Sequence, residues 1–175
     1  VLGASTSSER CIRSSTGEVV RYAALGLFLV NTPRNQIAVG NLPALADLPQ
    51  ELADLQLTVQ NRFATIAACS LDGKPLRKSG RILLVAVGNA RNASTQAANG
   101  LLQDMGKAPV LAEPVVARAA LSRAAPGALR VHALDPLTGA RRREVPVETA
   151  ADGTTASFGV AGEYGTPYYE LVTVP

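Results

Sequence analysis

The chain contains a single histidine, His132, which is the first residue to consider for catalysis. A nucleophilic hydrolase needs a serine or cysteine activated by a nearby base, often a histidine. His132 lies in the apolar run 130–134, where strand alternation places it on the opposite face from Val131 and Ala133. No serine stands in a Gly-x-Ser-x-Gly turn. We therefore interpret His132 as a surface or hydrogen-bonded structural histidine.

Glutamates are the next candidates, because glycoside hydrolysis uses two carboxylates that face each other across the sugar. The candidates are Glu18, Glu113, Glu144, Glu148, Glu163 and Glu170. No spacing among them selects a pair. Glu113 is framed by apolar residues and prolines, which favours a β-edge residue that accepts backbone hydrogen bonds over a catalytic acid. The chain is therefore predicted not to be an enzyme.

Metal and nucleotide sites find little support in the sequence. One histidine and two cysteines 58 positions apart give no pair at zinc-ligand spacing. Asp72, Asp135 and Asp152 could supply oxygens to calcium, but they lack the spacing of a calcium loop, which favours turns. Glycine motifs that bind phosphate are absent. We expect no cofactor, and structural calcium is not indicated.

The two cysteines, Cys11 and Cys69, allow two interpretations. They could form one disulfide between distant segments. Because Cys69 lies in an apolar run, a buried free thiol is an equal alternative.

Carbohydrate recognition is the remaining chemistry, and it combines flat aromatic rings with planar polar groups. The chain has no tryptophan, and its three phenylalanines lie in strand-like runs or at a strand entry, where we expect them in the core. The preferred candidate for an exposed ring is Tyr164, followed by Tyr22 and by Tyr168 or Tyr169. The alternative is that all four tyrosines are amphipathic strand residues with their hydroxyls at the rim.

Three planar polar residues complete the predicted carbohydrate site. Arg34 and Gln36 follow Thr32-Pro33 and could read sugar hydroxyls, although a role in tying the loop to backbone carbonyls is favoured. Asn92 lies in segment 89–107, which is predicted to be a long loop without β pattern. Loops of this length are usually functional or flexible.

Composition excludes two classes of partner. The net charge is +3, and the basic residues are spread along the chain apart from the run 141–143, which is too weak and dispersed for a nucleic-acid surface. No apolar run approaches the roughly 20 residues that a membrane span needs. The absence of an initiating methionine leads us to expect a piece of a larger protein.

Short apolar runs separated by glycine, proline and aspartate predict an all-β fold. We expect an antiparallel β-sandwich of jelly-roll type, with ten or more short strands and little helix, as one module over residues 1–175. The predicted strands are 19–23, 27–31, 37–40, 55–59, 64–70, 81–88, 110–112, 115–120, 130–134, 142–147, 155–158 and 168–174.

Two connections in this fold carry specific predictions. Segment 42–54 is expected to be a crossover between two parts of the sandwich, either as an ordered linker or with one helical turn after Pro49. Segment 61–88 contains two β-type runs around Asp72-Gly73, which predicts a hairpin or a short β-arch.

The amino-acid sequences of several segments resemble the C-terminal β-sandwich region of large bacterial glycoside-hydrolase-like proteins. The matching segments are 15–19 (STGEV), 30–36 (VNTPRNQ), 70–76 (SLDGKPL), 80–88 (GRILLVAVG) and 108–114 (APVLAEP). They occur in the same order as in the family, and the resemblance as a whole covers the chain from about residue 10 to the end. Tyr22 stands where the family tends to have an aromatic residue after Thr-Gly-Glu, and 90–95 follows the family's Asn-Thr-Gly pattern loosely. The resemblance implies a secreted β-sandwich attached to a sugar-cleaving barrel, and it transfers no catalytic residue.

Two hypotheses follow. The first is a non-catalytic accessory module that binds or presents polysaccharide of the β-glucan, xylan or mannan type, next to an upstream catalytic domain of the same chain. The second is a structural domain that packs on that barrel and has no ligand of its own. In either case the resemblance implies a bacterial protein that is secreted, periplasmic or at the cell surface. The charge and the lack of a long apolar run lead us to expect no nucleic-acid or membrane partner.

Overall fold

Alternating burial along short strands organises this chain into two facing sheets. The computed structural model describes residues 11–48, 50–151 and 153–174. The strands are β1 (Cys11–Arg13), β2 (Val19–Tyr22), β3 (Leu27–Asn31), β4 (Asn35–Gly40), β5 (Leu55–Val59), β6 (Ala64–Ser70), β7 (Arg81–Val87), β8 (Ala90–Ala93), β9 (Gln96–Ala98), β10 (Leu101–Asp104), β11 (Lys107–Ala112), β12 (Ala117–Ser122), β13 (Leu129–Leu134), β14 (Arg141–Val145), β15 (Val147–Thr149), β16 (Thr155–Val160) and β17 (Tyr168–Thr173). Short 3-10 helices cover Ala23–Leu25, Leu42–Asp47, Leu76–Lys78, Pro126–Ala128 and Gly162–Tyr164.

All strand pairs are antiparallel within these residues, and two sheets build the sandwich. The large sheet has nine strands in the order β1-β2-β3-β4-β6-β7-β17-β13-β14. The small sheet has four strands in the order β15-β16-β12-β5. The predicted all-β sandwich is confirmed, and each predicted strand has an observed counterpart within a few residues.

The core lies between the two sheets and contains side chains from both. Leu29, Ile66 and Leu84 from the large sheet and Leu121 and Phe158 from the small sheet are each at most 1% exposed. Alternate residues of every central strand point inward, so small and branched aliphatic side chains fill the space with few rings.

The crossover prediction for 42–54 is confirmed, because this segment leads from β4 in the large sheet to β5 in the small one. Its helical turn is the 3-10 helix Leu42–Asp47, so it lies before Pro49 and not after it. Pro43 at the start of this helix has the fixed backbone angle that suits a first helical turn. Pro49 itself is outside the described residues.

The predicted hairpin at 61–88 is also confirmed, since β6 and β7 pair directly from Thr65 with Val87 to Ser70 with Ile82. Its connection is a wide loop that includes the 3-10 helix Leu76–Lys78. Gly73 supplies the left-handed backbone there, with φ of 73°.

The prediction that 89–107 has no β structure is wrong. Strand β8 pairs with β11, and β9 pairs with β10, so residues 90–112 form a two-stranded extension that we call the β-arm. Every residue of β9, β10 and β11 is exposed. The polar composition of the segment concealed this pairing, because no core face imposes an alternating pattern on strands that are solvated on both sides.

The prediction that all three phenylalanines are core residues is wrong for two of them. Phe158 is 1% exposed, whereas Phe28 is 40% and Phe63 is 42% exposed. Phe28 lies on the outward side of β3, and Phe63 lies in the loop before β6.

Candidate functional site

The six residues predicted to bind carbohydrate do not form one site. Tyr22 and Gln36 are buried, with exposures of 5% and 0%. Tyr164 lies in the 3-10 helix after β16, Tyr168 begins β17, and Asn92 lies in the β-arm. The prediction that Tyr22 presents an exposed ring is therefore wrong, and no exposed face carries both Tyr22 and Tyr164.

Tyr22 is held by a charged pair beneath the edge of the large sheet. Its hydroxyl donates a hydrogen bond to the Glu51 carboxylate and accepts one from Arg13 Nη2 at 3.2 Å. Burial and the adjacent Glu51 carboxylate raise the pKa of Tyr22 to about 12. Arg13 also binds Glu51 at 2.7 Å, so the tyrosine, arginine and glutamate form a structural cluster.

Gln36 joins the two sheets. Its side-chain oxygen accepts hydrogen bonds from the backbone N–H groups of Asp54 at 3.0 Å and Leu55 at 2.8 Å, at the entry to β5. The structural role is therefore correct for Gln36, although the contact is with N–H groups and not with carbonyls. Arg34 is exposed at the turn before β4, and its side chain makes no hydrogen bond with the described residues, so the predicted tie to loop carbonyls is wrong for Arg34.

The remaining tyrosines are occupied in different ways. The Tyr164 ring packs edge-to-face on Tyr169 at 6.0 Å, and the Arg143 guanidinium lies 5.1 Å from its centroid. Burial raises the pKa of Tyr164. Tyr169 is fully buried, while Tyr168 is 37% exposed on the outer side of the large sheet. In the β-arm, Asn92 Nδ2 donates to the Met105 carbonyl at 3.1 Å.

Glu113, the glutamate framed by apolar residues and prolines, is bound by other side chains. The Glu113 carboxylate accepts hydrogen bonds from the amides of Asn61 at 3.0 Å and Asn89 at 3.1 Å, at the base of the β-arm and just beyond β11. The predicted acceptor role is thus right, but the donors here are side-chain amides and Glu113 is outside the strand.

Glu170 lies on β17, which is flanked by β7 and β13 in the large sheet, and it is 5% exposed. Its two carboxylate oxygens bind Arg81 Nε and Arg141 Nε, each at 2.6 Å. Burial opposes ionisation, but the two arginines more than offset that effect, and the pKa of Glu170 is lowered. His132 on β13 lies beside Glu170 on one strand and Glu144 on the other, on the outer side of the sheet as predicted.

Two of the three aspartates act in turns, as predicted. Asp72 accepts hydrogen bonds from Ser79 Oγ and the Gly80 N–H, both at 2.7 Å, and these contacts hold its pKa well below the usual value. Asp135 accepts hydrogen bonds from the N–H groups of Leu137 and Thr138 at 2.9 Å and 2.8 Å. Asp152 lies outside the described residues.

Cys11 and Cys69 are both free thiols. Cys11 lies on the edge strand β1, and Cys69 lies on the central strand β6. The free-thiol interpretation is therefore confirmed, and burial raises the pKa of the Cys69 thiol.

The outward side of the large sheet is mostly apolar, where a solvated sheet would be polar. Among the outward side chains on strands β3, β4, β6, β7 and β17 are Phe28, Val30, Ile37, Val39, Ala67, Leu83, Val85, Val87 and Tyr168, which we call the outer apolar face. The polar residues on the same side of these strands are Asn35, Thr65, Cys69, Arg81 and Glu170. One continuous cross-strand row runs from Val30 through Ile37, Ala67 and Val85 to Tyr168. The sequence indicates this face through the nearly continuous apolar runs of β6 and β7, because such runs are typical of strands that are covered on both sides of the sheet.

The outward side of the small sheet is polar and concave. A groove of about 520 Å³ crosses strands β5, β12 and β16 beneath the 3-10 helix Leu42–Asp47. Its floor and walls include Gln56, Thr58, Arg118, Ala120, Thr155 and Ser157, with Leu45 and Leu48 on one side, and we call it the polar groove. Alternation in β5 and β12 indicated which residues face outward, but only the register brings them together.

A smaller hollow of about 290 Å³ lies at the base of the β-arm. Gly88 and Gly162 line it and lie so close to Glu113 and Pro114 that a Cβ would meet the Glu113 carbonyl oxygen at 2.6 Å and Pro114 Cβ at 2.9 Å. These glycines let the arm seat against the sandwich, so the hollow is explained by packing.

No family profile, curated protein or solved structure matches this chain in the comparisons with known proteins. Within the part of the chain that the structure describes, no helix is long and apolar enough to cross a membrane.

Proposed function

We propose that this chain is a non-catalytic accessory β-sandwich of a secreted bacterial glycoside-hydrolase-type protein, and that it packs through the outer apolar face against the catalytic domain upstream in the same polypeptide. The outer apolar face carries this proposal. The resemblance of the five sequence segments supplies the identity of the partner.

An exposed apolar sheet face is the most unusual feature of this molecule. Antiparallel sheets with one solvated side normally carry polar residues on that side. Here Phe28 is 40%, Tyr168 37% and Val87 36% exposed, and they border half-buried valines and isoleucine. Contiguous apolar patches of this kind mark interaction surfaces.

The edge of this face carries charges that are already paired within the chain. Glu170 binds Arg81 and Arg141, and Arg130 Nε lies 3.5 Å from Glu144 Oε1. Because each of these charges already has a partner within the chain, the apolar rows are the part of the surface that gains most from contact with another domain. An apolar face that extends over five strands suits a partner that is itself a folded domain.

The non-catalytic part of the proposal is supported by the carboxylates. Glu170 is engaged by arginines, and Glu113 is engaged by side-chain amides. Both have lowered pKa values. A general acid for glycoside hydrolysis needs a raised pKa.

The docking role can be tested in the parent protein with Val39→Lys and Val85→Lys, alone and together. Both side chains are half-buried on the outer apolar face, and a lysine there would have to be desolvated in the interface. We expect the apparent Tm of the catalytic domain to fall by about 5 °C in calorimetry, since it loses a bound partner.

The matched control is Thr58→Lys, which adds the same charge to an exposed position of the small sheet. It should leave the Tm of the catalytic domain unchanged. Equal melting behaviour in the outer-face variants and in the control would contradict the docking role.

A second candidate function is the binding or presentation of polysaccharide. The polar groove favours it, because this groove gathers hydroxyl, amide and guanidinium groups on one concave face. Its test is affinity electrophoresis of the chain in gels that contain soluble β-glucan, xylan or mannan. Retardation in at least one of these gels is expected, and migration unchanged in all three would remove this candidate.

A further inference from the structure

We infer that the polar groove is the polysaccharide site of this chain and that its ligand is an uncharged glycan lying across strands β5, β12 and β16. This inference rests on the second proposed function. It places the site on the small sheet, away from the tyrosines that the sequence indicated.

The strand register constructs the floor of the groove. Gln56, Ala120, Ser157 and Glu148 stand side by side on four successive strands, and Thr58, Arg118 and Gly159 form the next row. The small residues Ala120 and Gly159 occupy the two middle strands. Their size leaves depth in the centre of the sheet between the longer side chains around them.

Arg118 is held in place as a planar hydrogen-bond donor. Its Nη2 donates to Ser157 Oγ at 2.7 Å and also to the Glu148 carboxylate. Its side chain nevertheless remains 52% exposed, so the guanidinium has donors left for a ligand. A fixed planar fork matches a pair of neighbouring sugar hydroxyls and loses little conformational freedom on binding.

Gln56 and Thr58 add unused polar groups beside this arginine. Both are exposed on β5, and neither side chain makes a hydrogen bond with the described residues. An amide offers both a donor and an acceptor, as does a hydroxyl, which is the combination that alcohol groups of a sugar require.

The wall and the charge balance select the ligand class. Leu45 and Leu48 form an apolar side against which the C–H groups of a sugar ring can pack. Arg118 is paired with Glu148, and Glu51 at the rim is paired with Arg13. A groove whose charges are already neutralised has no excess charge to attract a nucleic acid or an acidic polysaccharide.

The experiment uses the whole chain and four gels, which contain β-glucan, xylan, mannan or acidic polygalacturonate. The wild-type chain should be retarded by at least one neutral polysaccharide and not by polygalacturonate. The variants Gln56→Ala and Arg118→Ala should each weaken the affinity, and the double variant should weaken it about tenfold or more. Circular dichroism and thermal melting verify that these surface variants remain folded.

Arg62→Ala is the matched control, because Arg62 is an exposed arginine that makes no ion pair with the described residues and lines a different hollow. It should keep the wild-type affinity. If neutral polysaccharide retards the wild-type chain and the folded double variant equally, the assignment of the binding site to the polar groove is overturned. This result would leave the second proposed function intact. If Tyr164→Ala loses retardation while the groove variants keep it, the assignment of the site to the polar groove is also overturned, and the binding site lies at the tyrosine.

Two results with the wild-type chain would contradict the binding proposal before any variant is compared. Retardation by none of the polysaccharides would remove the second proposed function itself. Retardation by polygalacturonate alone would overturn the uncharged ligand class.

Discussion

Two neighbouring polar residues, Arg34 and Gln36, have opposite roles in this molecule. Arg34 is exposed at a turn, whereas Gln36 is fully buried between the sheets and binds two backbone N–H groups of the β5 entry. Their side chains differ in role because Gln36 occupies an inward position of the strand Asn35–Gly40, whereas Arg34 lies in the turn before this strand begins. A residue type that suits sugar binding therefore serves here to join two sheets.

Gln36→Leu should lower the free energy of unfolding by about 3 kcal/mol. The leucine leaves the N–H groups of Asp54 and Leu55 buried without an acceptor, and each such group costs about 1–3 kcal/mol. Urea denaturation measures the effect. The nearby control Arg34→Ala should change the free energy of unfolding by less than about 0.5 kcal/mol. Similar values for the two variants would contradict the assigned role of Gln36.

The β-arm is the element least integrated with the rest of the fold. No residue between Ala86 and Val115 belongs to the buried core of the described chain. Its exposed side chains include Leu101, Met105 and Val110, which are 65% to 68% exposed. A two-stranded ribbon without a third strand is only marginally stable in water.

Replacing residues 90–112 with a two-glycine linker should leave the sandwich folded. The Glu113 N–H donates to the Asn89 carbonyl at 2.7 Å, so the two ends of the arm already meet and a short linker can join them. We expect Tm to change by less than about 5 °C, because no core contact is removed. Circular dichroism melting tests this, and a chain that no longer unfolds cooperatively would contradict the peripheral position of the arm.

At the scale of the whole molecule, the two sheets present opposite surfaces. The large sheet carries the outer apolar face, and the small sheet carries the polar groove. A domain with this division can pack against a neighbour through one sheet while the other stays open to solvent. The proposed docking and the proposed polysaccharide site are therefore compatible within one chain.

Acid stability is another property of the whole molecule. The pKa values of Glu170, Asp72, Glu113 and Asp135 are all lowered by the folded structure. The ionised forms are favoured in the folded state, so the unfolded chain binds more protons near the ordinary pKa values. The stability that these groups contribute is present above those values and is lost as the pH falls through the folded pKa values.

We therefore expect the free energy of unfolding to fall as the pH is lowered from about 5 to about 3. Urea denaturation at several pH values measures this dependence. Glu170→Gln should make it shallower, because the variant removes the carboxylate that Arg81 and Arg141 hold. An unchanged slope in this variant would show that the arginine contacts contribute nothing to acid stability.

Local pattern predicted most of the fold because strand formation here follows turn residues and alternating apolar side chains. The hairpin of β6 and β7 and the crossover at 42–54 were predicted in this way. The β-arm was missed because its strands have no buried face and therefore no alternating pattern. The candidate site was missed for a different reason, since single residues such as Tyr22 were judged by type and not by the direction of the side chain.

The sequence by itself determined the all-β class and the positions of most strands. Those properties depend on near neighbours in the chain, through turn geometry and the two-residue period of a strand. Only the tertiary structure decided that β5, β12 and β16 align Gln56, Ala120 and Ser157 in one groove. It also decided that the apolar outward residues of five strands form one continuous face, because the pairing of distant strands sets which side chains meet.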